Sequence, residues 1–167
     1  TDAVIIATRH DSHASSVVQC FGAGKHAYVE KPLGLTVDEL GLVHQAYLAS
    51  EGSQLMVGFN RRFAPLTLKV QQHFAGIRSP LMVCIRVNAG EIPSDHWIQD
   101  PEMGGGRMIG EGCHFVDLAS AIVGANPVRV SAFATAKSHK SPLLNDNLAI
   151  TLQFDNGSVA SITYTAD

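Results

Sequence analysis

The chain has 167 residues, 46% hydrophobic and 16% charged, which is enough apolar content to bury one sizeable core or two small ones and too much for a disordered chain. A formal net charge of −3 with no basic run argues against a nucleic-acid partner, and no apolar run approaches the roughly 20 residues that span a bilayer, so no membrane role is expected. Cys20, Cys84 and Cys113 are odd in number, widely spaced and set in apolar patterns, which suits buried thiols in a reducing compartment, the cytoplasm.

Thr1 runs straight into an apolar stretch, Ala3 to Thr8, of the kind found in parallel strands buried on both faces, so the chain is expected to be a fragment that starts mid-fold. Asp11 or Ser12 can cap a following helix that carries Val17, Val18 and Phe21 at helical spacing and stops at Gly22 and Gly24. Gly22-Ala23-Gly24-Lys25 lacks the spacing and the following hydroxyl of a phosphate loop, and is a helix stop. His26 opens a second strand that ends in Tyr28-Val29-Glu30-Lys31-Pro32. This βαβ unit places Thr8-Arg9-His10 and Glu30-Lys31-Pro32 side by side at the carboxyl ends of parallel strands, where open α/β sheets bind ligands.

Thr36 and Glu39 form a capping box for a helix through Leu40, Val43 and Tyr47 that stops near Gly52, and Leu55 to Phe59 is a third apolar strand expected to be buried. The polar segment Asn60 to Pro65 marks a boundary, dividing the chain into residues 1–60 and 61–167. A helix follows over Leu66 to Phe74, ended by Gly76, and Leu81 to Val87 alternates as a half-exposed strand. This change of period predicts a second layer with a mixed or antiparallel sheet. Asn88 to Met103 is irregular, with Pro93, Trp97 and Pro101, and leads into Gly104-Gly105-Gly106, a loop able to cover a site. Gly112 to Val123 is helical and closes at Gly124, with Pro127 beyond it. Val128 to Ala134 is a strand, Lys137 to Asn145 a polar loop, and Leu148 to Phe154 with Ser158 to Tyr164 flank the hairpin turn Asp155-Asn156-Gly157.

Lys31 is the sharpest candidate for chemistry. Held between a strand end and a proline whose peptide bond is open to the cis form, it has little backbone freedom. A lysine so placed can act as general acid or base, or hydrogen-bond a substrate oxygen. His114 and Asp117, three apart, share a helix face, with His114 either a general base or a substrate ligand. Glu111, Cys113, His114 and His96 are metal-ligating types, but no recurrent pair spacing of a zinc site links them, and no metal is assigned. Arg61 and Arg62 would by themselves be a solvated pair, and Trp97 loop packing, yet both fall where a cleft between the two layers would lie. His10 and His13 flank the first rim, His13 on the first helical turn.

Ala7-Thr8-Arg9-His10-Asp11-Ser12-His13-Ala14, Glu30-Lys31-Pro32, Gly58-Phe59-Asn60-Arg61-Arg62-Phe63, and Gly104-Gly105-Gly106 followed by Gly112-Cys113-His114-Phe115-Val116-Asp117-Leu118 fall in one order and spacing. Together they resemble the glucose-fructose oxidoreductase, inositol dehydrogenase and rhizopine catabolism family of NAD(P)-dependent oxidoreductases. The resemblance implies an α/β chain: the C-terminal half of a Rossmann domain followed by an α+β domain with an open, mostly antiparallel sheet that forms homo-oligomer contacts. It implies Lys31 as the lysine that binds the reacting hydroxyl and His114 as the catalytic histidine. It puts Thr8, Arg9, His13, Glu30 and Lys31 on the NAD or NADP side, and Arg61, Trp97, Glu111 and His114 toward a sugar, inositol or related polyol. Two departures stand out. The glycine-rich pyrophosphate turn is not in the chain, and where many members carry an aspartate four residues before the histidine this chain has Gly110, with Glu111 beside it pointing about 100° away on an ideal helix. The alternatives are a non-catalytic dinucleotide-sensing regulatory protein on the same scaffold and a metal-dependent hydrolase.

Overall fold

The computed structural model describes residues 1–135 and 146–166; the polar loop expected from Lys137 to Asn145 lies outside them. Its first layer is a parallel sheet of β1 (Ala3–Ile6), β2 (His26–Val29) and β3 (Leu55–Val57), in the order β1-β2-β3. Helices α1 (His13–Gly22) and α2 (Val37–Ala49) form the crossovers and pack against each other. Ile6, Ala27 and Val29 meet Val17, Phe21 and Val43 in a common core. Thr36 and Glu39 make the expected capping box, since the Thr36 hydroxyl accepts from the Glu39 N–H while the Glu39 carboxylate accepts from the Thr36 N–H. Gly24, at φ 63°, ends α1 as expected.

The apolar runs do not make strands buried on both faces. In register, Ile5, Tyr28 and Met56 form one row across the sheet, with Ile5 77% and Met56 50% exposed. Each strand has one covered face because α1 and α2 pack on the same side, and hydropathy alone does not report which face is covered. Nor does a side chain cap α1: a single 3-10 turn, His10–Ser12, precedes it, and the Ser12 hydroxyl donates to the Arg9 carbonyl instead.

A 3-10 turn at Asn60–Phe63 and α3 (Pro65–Phe74) lead to the second sheet. Its strands β4 (Met82–Asn88), β5 (Pro127–Ala134), β6 (Leu148–Phe154) and β7 (Val159–Thr165) lie in the order β4-β7-β6-β5, antiparallel except where β4 runs parallel to β7. Pro127, rather than merely ending the helix before it, is the first residue of β5. Alternation sorts β6 and β7 cleanly, whereas all eight residues of the edge strand β5 are exposed. Ile150, Leu152, Phe154, Ala160, Ile162 and Tyr164 face α4 (Cys113–Val123), while Thr151 and Thr163 face out. Cys84 belongs to the outward row of β4 and is exposed, unlike Cys20, which is buried; a single-face strand exposes every second residue whatever its type. Gly124, at φ 68°, closes α4.

Core and surface positions on the same strands should respond differently to truncation. Ile162→Ala, in a site 1% exposed, is expected to cost about 2–5 kcal/mol in chemical denaturation. Thr163→Ala, on the outer face, should stay within about 0.5 kcal/mol. Equal losses at the two positions would contradict this sidedness.

Candidate active site

The two parallel strand ends do lie side by side. The Glu30 N–H donates to the Ile6 carbonyl, carrying the ladder one residue past β2. Just beyond, the Lys31–Pro32 peptide is cis. His13 joins the two rims. Fully buried, it sets Nδ1 2.7 Å from the Pro32 carbonyl and Nε2 3.1 Å from the Thr8 carbonyl, which leaves no ring nitrogen free for another ligand. The exposed hydroxyl of Thr8 is paired with that of Ser12 at 2.6 Å. Glu30 accepts from the Tyr28 phenol at 3.1 Å, and a Cβ at Gly58 would stand 2.9 Å from that phenol and 3.0 Å from the Glu30 carboxylate, so a side chain at position 58 would displace the pair.

The second layer reaches this rim through an element the sequence pattern did not show. Met108–Gly112 is a π-helical turn running directly into α4, where the pattern suggested a helix starting at Gly112. Gly110 and Gly112, two glycines at the mouth of an apolar helical repeat, were the signal for it. The widened turn points the Gly110 carbonyl at Lys31, whose Nζ donates to it at 2.8 Å. His114, 6% exposed, follows on the first turn of α4, edge-on to Phe59 with ring centroids 6.1 Å apart. Its Nδ1 is buried without a hydrogen-bond partner. Burial and the positive charges of Lys31 and Arg61 lower the His114 pKa from 6.5, against smaller upward pulls from Glu111 and Glu30, so the ring stays neutral at pH 7.

The remaining candidates divide. Arg61 lies over the Phe115 ring at 4.6 Å and 3.8 Å from Glu111. Arg62, its side chain 39% exposed, makes a two-pronged ion pair with Asp117. Asp117 therefore serves Arg62, not the histidine on its own face. Glu111 turns away from the Lys31 amine as well: it accepts from the Tyr164 phenol at 2.6 Å and lies 3.4 Å from Arg107, itself only 2% exposed and donating to that same phenol at 2.9 Å. Sequence reasoning overlooked Arg107 and Tyr164, although an arginine between a glycine triplet and an apolar run was a visible irregularity. Trp97 lies on the first-layer rim, edge-on to His10 with centroids 4.8 Å apart and 5.8 Å from the Arg9 guanidinium.

Cys113 shares an apolar cavity of about 530 Å³ with Leu33, Leu40, Phe59, Met108 and Val116. Burial pushes its thiol up to about 11, which leaves little thiolate at neutral pH and makes it a poor nucleophile. Among the described residues no three His, Cys, Asp or Glu side chains come together as a metal site, and no helix is long and apolar enough to cross a membrane.

Comparison with known proteins agrees with this geometry. Residues 1–59 match the model of the oxidoreductase family with an NAD-binding Rossmann fold, and residues 79–167 that of the GFO/IDH/MocA C-terminal domain. D-xylose 1-dehydrogenase (NADP(+)) 2 of Haloferax volcanii is 29% identical over 99% of the chain and 50% of its own length. Inositol 2-dehydrogenase of Rhizobium meliloti is 28% identical over 97% of the chain and 49% of its own. The crystal structure of an oxidoreductase domain protein from Kribbella flavida superposes with a TM-score of 0.87 at 25% identity, over 99% of this chain and 48% of that one. The chain thus spans about half the length of the relatives it matches. A parallel half-sheet ending in Glu-Lys-Pro, a mixed second sheet under the histidine helix, and family matches to both parts lead to one assignment: the chain belongs to the GFO/IDH/MocA family of oxidoreductases.

Proposed function

We propose that this protein is an NAD(P)-dependent dehydrogenase of a sugar, inositol or related polyol, with residues 1–60 forming the C-terminal part of the dinucleotide-binding domain and residues 61–167 the substrate and oligomerisation domain. One observation carries the reading. A lysine amine at the end of a parallel strand and a buried, neutral histidine with a partnerless nitrogen face one rim. These residues fit the nicotinamide end of a dinucleotide, because Thr8, Arg9 and Glu30 flank that rim and His114 has an unused polar atom within it. The family described as NAD-binding and the relatives named as xylose and inositol dehydrogenases support the cofactor and substrate class.

Oxidation of an alcohol removes a hydride from the carbinol carbon and a proton from its oxygen, turning a C–O single bond into a carbonyl. The bound nicotinamide supplies the hydride acceptor. Lys31 donates a hydrogen bond to the reacting oxygen, exchanging the Gly110 carbonyl for it. His114 receives the hydroxyl proton, a role that requires the lone pair its lowered pKa preserves. We assign Arg61, Trp97 and Glu111 to the substrate side: Glu111 lies 3.8 Å from Arg61, and Trp97 packs on His10 and Arg9 at the first-layer rim. The outward face of the second sheet, where Phe133 is 76% exposed, supports self-association into a homo-oligomer, and three free thiols suit a cytoplasmic setting.

A second reading, a dinucleotide-binding regulator without turnover, draws on position 110. A Cβ there would stand 3.0 Å from the Ile98 side chain and 3.1 Å from the His10 ring, so a carboxylate at 110 would require both to shift, and this chain has glycine there.

In the natural protein, Lys31→Ala should lower kcat/KM on a xylose and inositol panel by on the order of 10²–10⁴-fold while cofactor titration stays near wild type. Wild-type turnover in that variant would remove Lys31 from the mechanism. The acid limb of the oxidation pH profile should fall below 6.5, because His114 must lose its proton and its pKa is lowered. Arg61→Ala, which removes one of the lowering charges, should move that limb to higher pH, and an unmoved limb would argue that another group is the base.

A further inference from the structure

We propose that His10 is a positioning residue, a latch that fixes the 97–106 strap against the strand-end rim and thereby sets where the Gly110 carbonyl and His114 meet Lys31. The inference rests on the dehydrogenase reading for its consequence, but the latch itself can be tested without it.

The strap is a compact body of its own. Asp100 folds it: its carboxylate accepts from the Glu102 and Met103 N–H groups at 2.8 and 3.0 Å, and its carbonyl from the Gly104 and Gly105 N–H groups at 2.9 and 3.0 Å. The Gly104 backbone packs so tightly on Ile98 that a Cβ would overlap the Ile98 backbone. A rigid strap needs few fastenings, and among the described residues its side-chain hydrogen bonds to the rim come from two neighbouring residues. The Arg9 guanidinium donates to the Met103 sulfur at 3.0 Å and lies near the Trp97 ring. His10, 5% exposed, places Nδ1 2.8 Å from the Gly104 carbonyl and its ring edge-on to Trp97.

Because a carbonyl only accepts, Nδ1 must carry the proton, and the bond fixes the tautomer. Of the two fastenings, the one from Arg9 is exposed and ends on a weak acceptor, whereas the one from His10 is buried and strong, so His10 should dominate. The strap then runs without a break through Gly105 and Gly106 into the buried Arg107 and the π turn, whose Gly110 carbonyl receives the Lys31 amine. The His10 ring also lies beside Gly110, 3.1 Å from where a Cβ would stand, so it touches both ends of that run.

Trp97 is the chain's single tryptophan and reports the latch directly. In this chain, His10→Ala should shift Trp97 emission to longer wavelength and raise its acrylamide quenching several-fold, while circular dichroism and the melting profile show the fold retained. His10→Asn, whose amide can donate from about the Nδ1 position, should recover most of the wild-type emission; unchanged emission and quenching in His10→Ala would overturn the latch. A His10→Ala chain that fails to fold passes the test to the pair Gly104→Ala and His10→Asn: Gly104→Ala should loosen Trp97 and His10→Asn should not, and the reverse pattern would overturn it. In the natural protein, His10→Ala should raise KM at least tenfold with the acid limb of the pH profile unmoved, since His114 remains the base. Unchanged KM would overturn the positioning role, whereas loss of turnover in the wild type on every polyol would count against the dehydrogenase reading and leave the emission result standing.

Discussion

At the point of the proposed chemistry the two layers are joined by a hydrogen bond from the Lys31 amine, arriving at the end of a parallel strand, to the Gly110 carbonyl, presented by a π turn. The rest of the site depends on it geometrically. Lys31 is aimed by the strand it follows, and Gly110 by a helix whose other face is anchored in the second core through Phe115, Ala119 and Val123. Each partner is thus held by a separate hydrophobic core, and the amine spans the seam between them. A flexible side chain on a rigid base suits the proposed exchange of the Gly110 carbonyl for a substrate oxygen.

Charge around this seam is arranged so that His114 remains neutral. Its burial, the Lys31 ammonium and Arg61 all oppose protonation, while the two carboxylates that favour it are engaged elsewhere, Glu111 with Tyr164 and Arg107 and Glu30 with the Tyr28 phenol. Burying Arg107 without a carboxylate would be costly, so Glu111 has a structural duty to Arg107 before any duty to a ligand. The Arg62–Asp117 pair does for α4 what Glu111 does for the π turn, anchoring it to the segment that leaves the first sheet.

Much of this was legible in the sequence. The βαβ unit, the capping box at Thr36 and Glu39, the Asp155-Asn156-Gly157 hairpin and the mixed second sheet follow from local rules of period and turn chemistry, and the structure has them all. Lys31 and His114 stood out because their spacing within a known motif carries information that hydropathy does not. What failed to show was non-local. The exposure of Ile5 and Met56 depends on which face the helices choose, the role of Arg62 on a carboxylate 55 positions away, and the buried link of His10 to Gly104 on a partner 94 positions away. The π turn was hidden for a different reason, since an extra residue in a helix leaves the apolar pattern almost intact and only the paired glycines betray it.

The most direct test of the account is hydride transfer itself. The natural protein would be incubated with NAD or NADP and inositols or aldoses deuterated at each candidate carbinol carbon, and deuterium followed into the reduced nicotinamide. Stoichiometric transfer from one position, with a primary isotope effect on single turnover and its loss in Lys31→Ala, is the predicted result. Tight dinucleotide binding with no deuterium transferred from any substrate would contradict it and identify a scaffold that senses the cofactor without using it.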